Sequence, residues 1–270
     1  MKLKEIPLSL FTAFSLRSIP VESLKSHSEP AFPIIVSLTT IESRLDKVHI
    51  TIRSILAQKR KPKKILLWIP TELKNKIPQS LKKLTGDIVE IHFSHLHCSH
   101  KKLIHSLKLH PSEVIVTCDD DVMYRENWLK TLYNSHLKFP NDVIAHRVRC
   151  IRYENGELLP YKKWSCQADV KPEALLPIGA EGVLYPPETF SDVVFDEKLF
   201  LKLAPKADDL WFKAVALSND KRARKAEESP ELAIPLAGTQ KISLKKENVD
   251  EDRNRKQWND LAQYFGIDLR

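Results

Sequence analysis

The chain has 270 residues, 42% of them hydrophobic and 29% charged. A chain of this size buries most of its surface on folding and needs neither disulfides nor a structural metal, which excludes a disordered polymer, a collagen-like fibre and a small disulfide scaffold. Its 43 Lys and Arg against 35 Asp and Glu leave a formal charge of +8. That surplus favours anionic partners (nucleic acid, acidic lipid headgroups or phosphorylated small molecules) without choosing among them. The four cysteines, Cys98, Cys118, Cys150 and Cys166, include no C-x-x-C pair. They read as reduced thiols, which suits a cytoplasmic location.

In chain order, residues 1–33 read as an irregular lead-in. Their apolar stretch at 6–16 is interrupted by Pro7 and is too short to span a bilayer. Peripheral attachment through a basic face stays open. The β-branched run at 34–38 reads as a buried strand. Val48, Ile52, Ile55 and Leu56 then share one face of a helix reaching to about Gln58. Pro62 closes it, and an apolar strand at 65–69 completes a βαβ unit. A polar helical stretch at 71–84, interrupted at Pro78, leads to a strand at 88–93. A helix at 101–109, a strand at 114–117, a helix at 126–137 and a strand at 143–148 follow. This alternation predicts an α/β fold with a mostly parallel sheet and helices on both faces. Past residue 150 the pattern is mixed, with strand signals near 151–153 and 182–185, helices at 208–217 and 250–265, and an aperiodic basic stretch at 221–246. The predicted organisation is a lead-in (1–33), a nucleotide-fold half (34–148) and a mixed half (149–270) of the same domain.

The chemistry concentrates in Asp119-Asp120-Asp121, directly after the strand at 114–117. Three adjacent carboxylates repel one another and are expensive to desolvate. A divalent cation, Mn²⁺ or Mg²⁺, relieves both costs, and such ions are held by one or two carboxylates plus substrate phosphates. In open α/β sheets ligands bind outside the carboxyl ends of the strands, which is where this triplet falls. A second acidic pair, Asp208-Asp209, opens an apolar helix, where a carboxylate also serves as an ordinary N-terminal partner. Gly179 and Gly182 bracket Ala180-Glu181 in a chain with only six glycines and suggest close approach of backbone to a ligand. Trp164 and Tyr185 either stack on a ligand or belong to the core. His92, His95, His97, Cys98 and His100 match no regular zinc spacing and read as a polar loop.

The run Val114-Ile-Val-Thr-Cys-Asp-Asp-Asp-Val-Met-Tyr resembles the D-x-D region of family-2-type glycosyltransferases with the GT-A fold. Four further segments resemble that family in the same order. They are Ile35-Val-Ser-Leu-Thr-Thr-Ile-Glu-Ser-Arg, His100-Lys-Lys-Leu-Ile-His-Ser-Leu, Gly179-Ala-Glu-Gly-Val-Leu-Tyr-Pro-Pro and Ala207-Asp-Asp-Leu-Trp. The resemblance implies a Rossmann-like GT-A domain that moves a sugar from a nucleotide-sugar, such as a UDP-sugar, to a glycan or lipid-linked glycan of the cell surface. It makes 34–148 the nucleotide-sugar-binding half and 149–270 the acceptor-binding half. By that resemblance Asp121 and Asp119 are the metal ligands. Thr39, Thr40, Arg44, Lys102, Asp119 and Asp120 form the nucleotide-sugar site. Thr39, Thr40 and Arg44 read equally as an ordinary helix start, and Lys102 as a surface lysine. Gly179, Glu181, Gly182, Trp164 and Tyr185 form the acceptor side. Asp209 is the base of an inverting transfer and Asp208 a hydrogen-bonding partner of the acceptor. The family's usual Glu-Asp is here Asp-Asp, and residues 238–270 lack the histidine that often completes its metal site. The rival readings are a sugar nucleotidyltransferase, against which the glycine-free loop after the first strand speaks, and a basic nucleic-acid-binding protein, which leaves the aspartates unexplained. The expected partners exclude nucleic acid and include peripheral contact with the inner face of a membrane.

Overall fold

The alternation of apolar strand and amphipathic helix builds one wing of a doubly wound sheet in the computed structural model, which describes residues 3–26, 29–166, 170–239 and 246–270. Helices α1 (Ile6–Ser18) and α2 (Val21–Lys25) come first. They are followed by β1 (Phe32–Thr39), α3 (Val48–Leu56), β2 (Pro62–Pro70), α4 (Gln79–Lys82), β3 (Val89–Ser94), α5 (Lys101–Leu109) and β4 (Val114–Thr117). Next come β5 (Val122–Met123), α6 (Trp128–Lys138), β6 (Val143–Ala145), β7 (Val148–Cys150), β8 (Tyr153–Glu154), β9 (Glu157–Leu158) and β10 (Leu175–Pro177). The chain continues through β11 (Val183–Tyr185), α7 (Glu197–Leu203), α8 (Asp208–Ser218), β12 (Ala223–Lys225), β13 (Ile234–Pro235) and α9 (Arg253–Phe265).

The central sheet runs β12-β6-β11-β4-β1-β2-β3. Within it only β11 is antiparallel to its neighbours, β4 and β6. Successive side chains go to opposite faces. Ile34, Val36 and Leu38 of β1 pack with Ile65, Leu67 and Ile69 of β2 against Ile52, Ile55 and Leu56 of α3. Ile35, Leu66 and Ile115 pack on the other face against Leu103 of α5, Trp211 of α8 and Trp258 of α9. Both faces are therefore covered, and the central strands are apolar throughout rather than alternating. From β1 the chain crosses toward β2 and β3, whereas β4 lies on the opposite flank of β1. This reversal falls at the carboxyl ends of β1 and β4, the place where open α/β sheets bind their ligands.

Three expectations are corrected. Residues 1–33 are not an irregular lead-in: within them α1 is a regular helix whose Ala13 and Leu16 pack on Ile50 of α3. Pro7 falls at its first turn, where a missing N–H costs nothing. The single strand expected at 143–148 is two strands: β6 lies in the central sheet and β7 pairs with β10. The chain leaves the sheet at His146, whose Nε2 lies 2.8 Å from the Trp128 carbonyl oxygen. Nor are all four cysteines reduced, because Cys150 and Cys166 form a disulfide. The hairpin β8–β9 turns the chain back on itself, so that the Cys150 N–H donates to the Trp164 carbonyl at 3.2 Å. The disulfide removes the ground on which the thiols indicated a reducing compartment. Cys98 and Cys118 are free thiols. Among the described residues no helix is long and apolar enough to cross a membrane.

Candidate active site

β4 ends at Thr117, and the Cys118 N–H still donates to the Ser37 carbonyl of β1 at 3.1 Å. The chain then turns out of the sheet and places the three aspartates at the carboxyl end of β4, with Asp120 buried and Asp119 and Asp121 partly exposed. Arg44, in the single turn after β1, spans two of them: its Nη1 lies 2.6 Å from Asp120 Oδ1 and its Nη2 3.1 Å from Asp121 Oδ2. The Thr40 hydroxyl donates to Asp120 Oδ2 at 2.6 Å. Lys102, at the start of α5, serves the third. Its Nζ stands 3.0 Å from Asp119 Oδ1 and 3.1 Å from Asp208 Oδ2. One buried ammonium thus joins the triplet after β4 to the acidic pair that opens α8. Burial alone would lower its pKa, yet Asp119, Asp208 and Asp209 together raise it well above the ordinary lysine value. The repulsion within the triplet is relieved by Arg44 and Lys102.

Asp209 is held differently. Both of its carboxylate oxygens accept from the Gly179 N–H, at 3.2 and 3.1 Å. A Cβ at position 179 would stand 2.8 Å from Asp209 Oδ1, so only glycine lets the carboxylate come this close. Burial, reinforced by the neighbouring Asp208 charge, pushes the Asp209 pKa up to about 7, against Lys102 and the Gly179 N–H. Burial also works upward on Asp208, but Lys102 prevails and its pKa falls below the ordinary value. Two adjacent carboxylates are therefore driven apart: one stays ionised and the other is poised near neutrality. Such a split marks groups able to take separate acid–base roles.

Several residues singled out from sequence support the site without facing a ligand. Asp120 is 4% exposed, with both oxygens committed to Arg44 and Thr40. It anchors Arg44. The Thr39 hydroxyl donates to the Trp68 carbonyl at 2.9 Å and ties β1 to β2. Gly182 has φ +101° and lies against the Trp128 ring, where a Cβ would come within 2.7 Å of Nε1. Its role is packing. Glu181 is half-buried and accepts from the Ala233 N–H at 3.0 Å, with a pKa raised by burial. The sugar-stacking reading of two aromatics is overturned. Trp164 is fully buried beside Tyr161, its Nε1 donating to the Leu159 carbonyl, and Tyr185 is 3% exposed against Phe190 and Phe212. Both sit in the core because they complete the face covered by α8 and α9.

Two functional neighbours escaped the sequence reading. The Tyr124 hydroxyl accepts from the Asp119 N–H at 2.9 Å and donates to the Ala180 carbonyl at 3.0 Å, stitching the aspartate turn to the Gly179 turn. Its place three residues after the triplet was visible, but its ring direction was not. His100 is fully buried, stacks on Phe200 at 4.4 Å between ring centres, and is held neutral by burial, with a pKa of about 4. From sequence it belonged to the histidine-rich loop. In the fold it backs Asp208.

Among the described residues no three His, Cys, Asp or Glu side chains converge to enclose a metal ion. A hard divalent ion completed by substrate phosphates needs only one or two carboxylate oxygens, and the donor set here is of that oxygen type. Asp119 is 35% exposed at its side chain and Asp121 15%. The pair therefore fits a two-carboxylate site that shares its anions with Lys102 and Arg44.

The fold and site together define a doubly wound α/β protein with a cluster of paired charges at its topological switch point, the usual position for binding a ligand. No family model matches the chain, and no curated protein matches it. Among solved structures it is similar to residues 1–349 of S. aureus TarS, with 16% identity and a TM-score of 0.46 over 74% of this chain and 59% of that one. It is also similar to the same fragment in complex with UDP, with 16% identity and a TM-score of 0.45 over 73% and 58%. The chain thus spans under two thirds of the structures it resembles, and at this level the likeness carries no inference about its activity.

Proposed function

We propose that the chain is a GT-A glycosyltransferase that moves a sugar from a nucleotide-sugar, a UDP-sugar first, to a hydroxyl of a glycan or lipid-linked glycan with inversion. The observation that supports this most is the split carboxylate pair: Asp209 poised near neutrality against the Gly179 N–H, one lysine away from the aspartate turn. In this reading the donor diphosphate lies at the carboxyl ends of β1 and β4, beside Arg44 and Lys102. The acceptor lies over the Gly179–Glu181 turn.

An Asp209 oxygen takes the proton of the acceptor hydroxyl as that oxygen bonds to the anomeric carbon from the face opposite the diphosphate. The bond from the anomeric carbon to the diphosphate oxygen breaks, and its electron pair leaves with the diphosphate. Arg44 and Lys102 supply fixed positive charge where that negative charge grows, in a site already organised before reaction. Lys102 also keeps Asp208 ionised, and the Asp208 charge in turn raises the proton affinity of Asp209. Mn²⁺ or Mg²⁺ would be held by Asp121 and Asp119 and would add charge stabilisation at the departing diphosphate.

Calorimetric titration with UDP, GDP and dTDP, with and without Mn²⁺, tests the reading, with UDP expected to bind most tightly. Binding of none of the three under either condition would overturn it.

A further inference from the structure

Five of the eleven exposed large hydrophobic side chains among the described residues lie in or just before α1: Leu3, Leu8, Leu10, Phe11 and Phe14. Phe11 and Phe14 are 71% and 70% exposed. At about 100° per residue, Pro7, Leu10, Phe11 and Phe14 fall within about a 100° arc of the helix. This is a continuous apolar stripe turned to solvent. Exposed Arg17 borders the stripe on one side, and exposed Lys4 lies in the short turn that leads into the helix.

The helix cannot roll this stripe inward, because its opposite face is fastened. Ser9, Ala13 and Leu16 are buried, the last two against Ile50, Met123, Ile234 and Leu236. The Ser9 hydroxyl donates to the Pro235 carbonyl at 2.7 Å and accepts from the Ala237 N–H at 3.0 Å. Arg53 Nη1 donates to the carbonyls of Leu16 and Ile19, each at 2.9 Å. The segment gripped by Ser9 leads directly to the candidate site. Leu236 N–H donates to the Asp121 carbonyl at 2.8 Å, and Arg44 Nε donates to the Thr239 carbonyl at 3.2 Å. The inner face of α1 is therefore linked through residues 235–239 to the aspartate turn and Arg44.

We propose that the outer face of α1 docks on an anionic lipid bilayer, with Leu10, Phe11 and Phe14 in the headgroup–acyl boundary and Lys4 and Arg17 on acidic headgroups. A monomer seldom leaves a patch of this kind without use. The solvent-facing stripe, with Arg17 at its border and Lys4 in the turn before it, suits a helix resting on a membrane interface, where lysine and arginine stems extend toward the headgroups. Charge selects the occupant. The chain carries +8, which draws it to an acidic surface and opposes a second copy of itself. The sequence alone pointed to a basic face for such contact; here the apolar stripe is the principal element and the charges are its margin. The inference is independent of the reaction proposed above and stands or falls without it.

The test is co-sedimentation of the full chain with phosphatidylcholine vesicles, with and without phosphatidylglycerol, alongside light scattering of the free protein. The wild type is expected to bind the anionic vesicles. F11S/F14S should weaken that binding by at least about tenfold through lost apolar burial. K4S/R17S should weaken it by about tenfold and reduce its dependence on phosphatidylglycerol. All three proteins should melt within a few degrees of one another. Three results would overturn the proposal: no sedimentation of the wild type, unchanged binding of F11S/F14S, or a wild-type dimer that F11S/F14S converts to monomer, which would make the stripe a self-association surface.

Discussion

Asp209→Asn separates stability from activity and can be worked through from the structure. The Asp209 carboxyl is raised from its ordinary 3.8 to about 7, first by burial and then by Asp208. Each pH unit of displacement is worth about 1.4 kcal/mol, so ionising this group costs the folded state about 4 kcal/mol relative to the unfolded chain. Because the folded-state pKa lies above the unfolded one, no cost arises below about pH 4. It grows between about pH 4 and 7 and is complete above that. Asparagine can still accept from the Gly179 N–H and never ionises. The attraction of Lys102 is already contained in that pKa, so nothing further is subtracted for it. The expected net is a variant about 4 kcal/mol more stable than wild type at pH 8 and equal to it near pH 4. For a domain of this size that is a rise of roughly 8–16 °C in melting temperature at pH 8. Urea unfolding and thermal melts of both proteins across this window provide the measurement. Transfer should fall by about 10²-fold or more in the variant, while wild-type turnover should rise about tenfold per pH unit up to about pH 7. A stability difference that does not change with pH would refute the desolvated, shifted carboxylate. Retained transfer would remove Asp209 from its role as base.

Three further outcomes follow from the same geometry. Arg44→Lys keeps the charge but loses the fork that spans Asp120 and Asp121, so UDP affinity measured by calorimetry should drop about tenfold or more. Gly179→Ala places a Cβ 2.8 Å from Asp209 Oδ1 and pushes the carboxylate off its N–H partner; turnover should fall about 10²-fold while donor binding is nearly unchanged. Cys150→Ser opens a disulfide between residues 16 apart in sequence and should cost about 3 kcal/mol in urea unfolding, an effect that a reducing agent should reproduce in the wild type.

The chain's own pattern determined a good deal. Apolar runs bounded by prolines, with 3.6-residue periodicity between them, set the strands and helices of the first half. A carboxylate triplet at a strand end located the candidate site. Tertiary structure decided what those carboxylates do, since only folding brings Lys102 between Asp119 and Asp208, Arg44 across Asp120 and Asp121, and Gly179 against Asp209. It also decided that Trp164 and Tyr185 are core, that Cys150 meets Cys166, and that an apolar helix near the start turns its phenylalanines outward. The physical reason is range. Periodicity and turn chemistry act over a few neighbouring residues and leave a mark in local sequence. The partners of the buried charges and of the disulfide lie from 16 to over 100 positions away and are fixed only when the sheet closes and its helices dock.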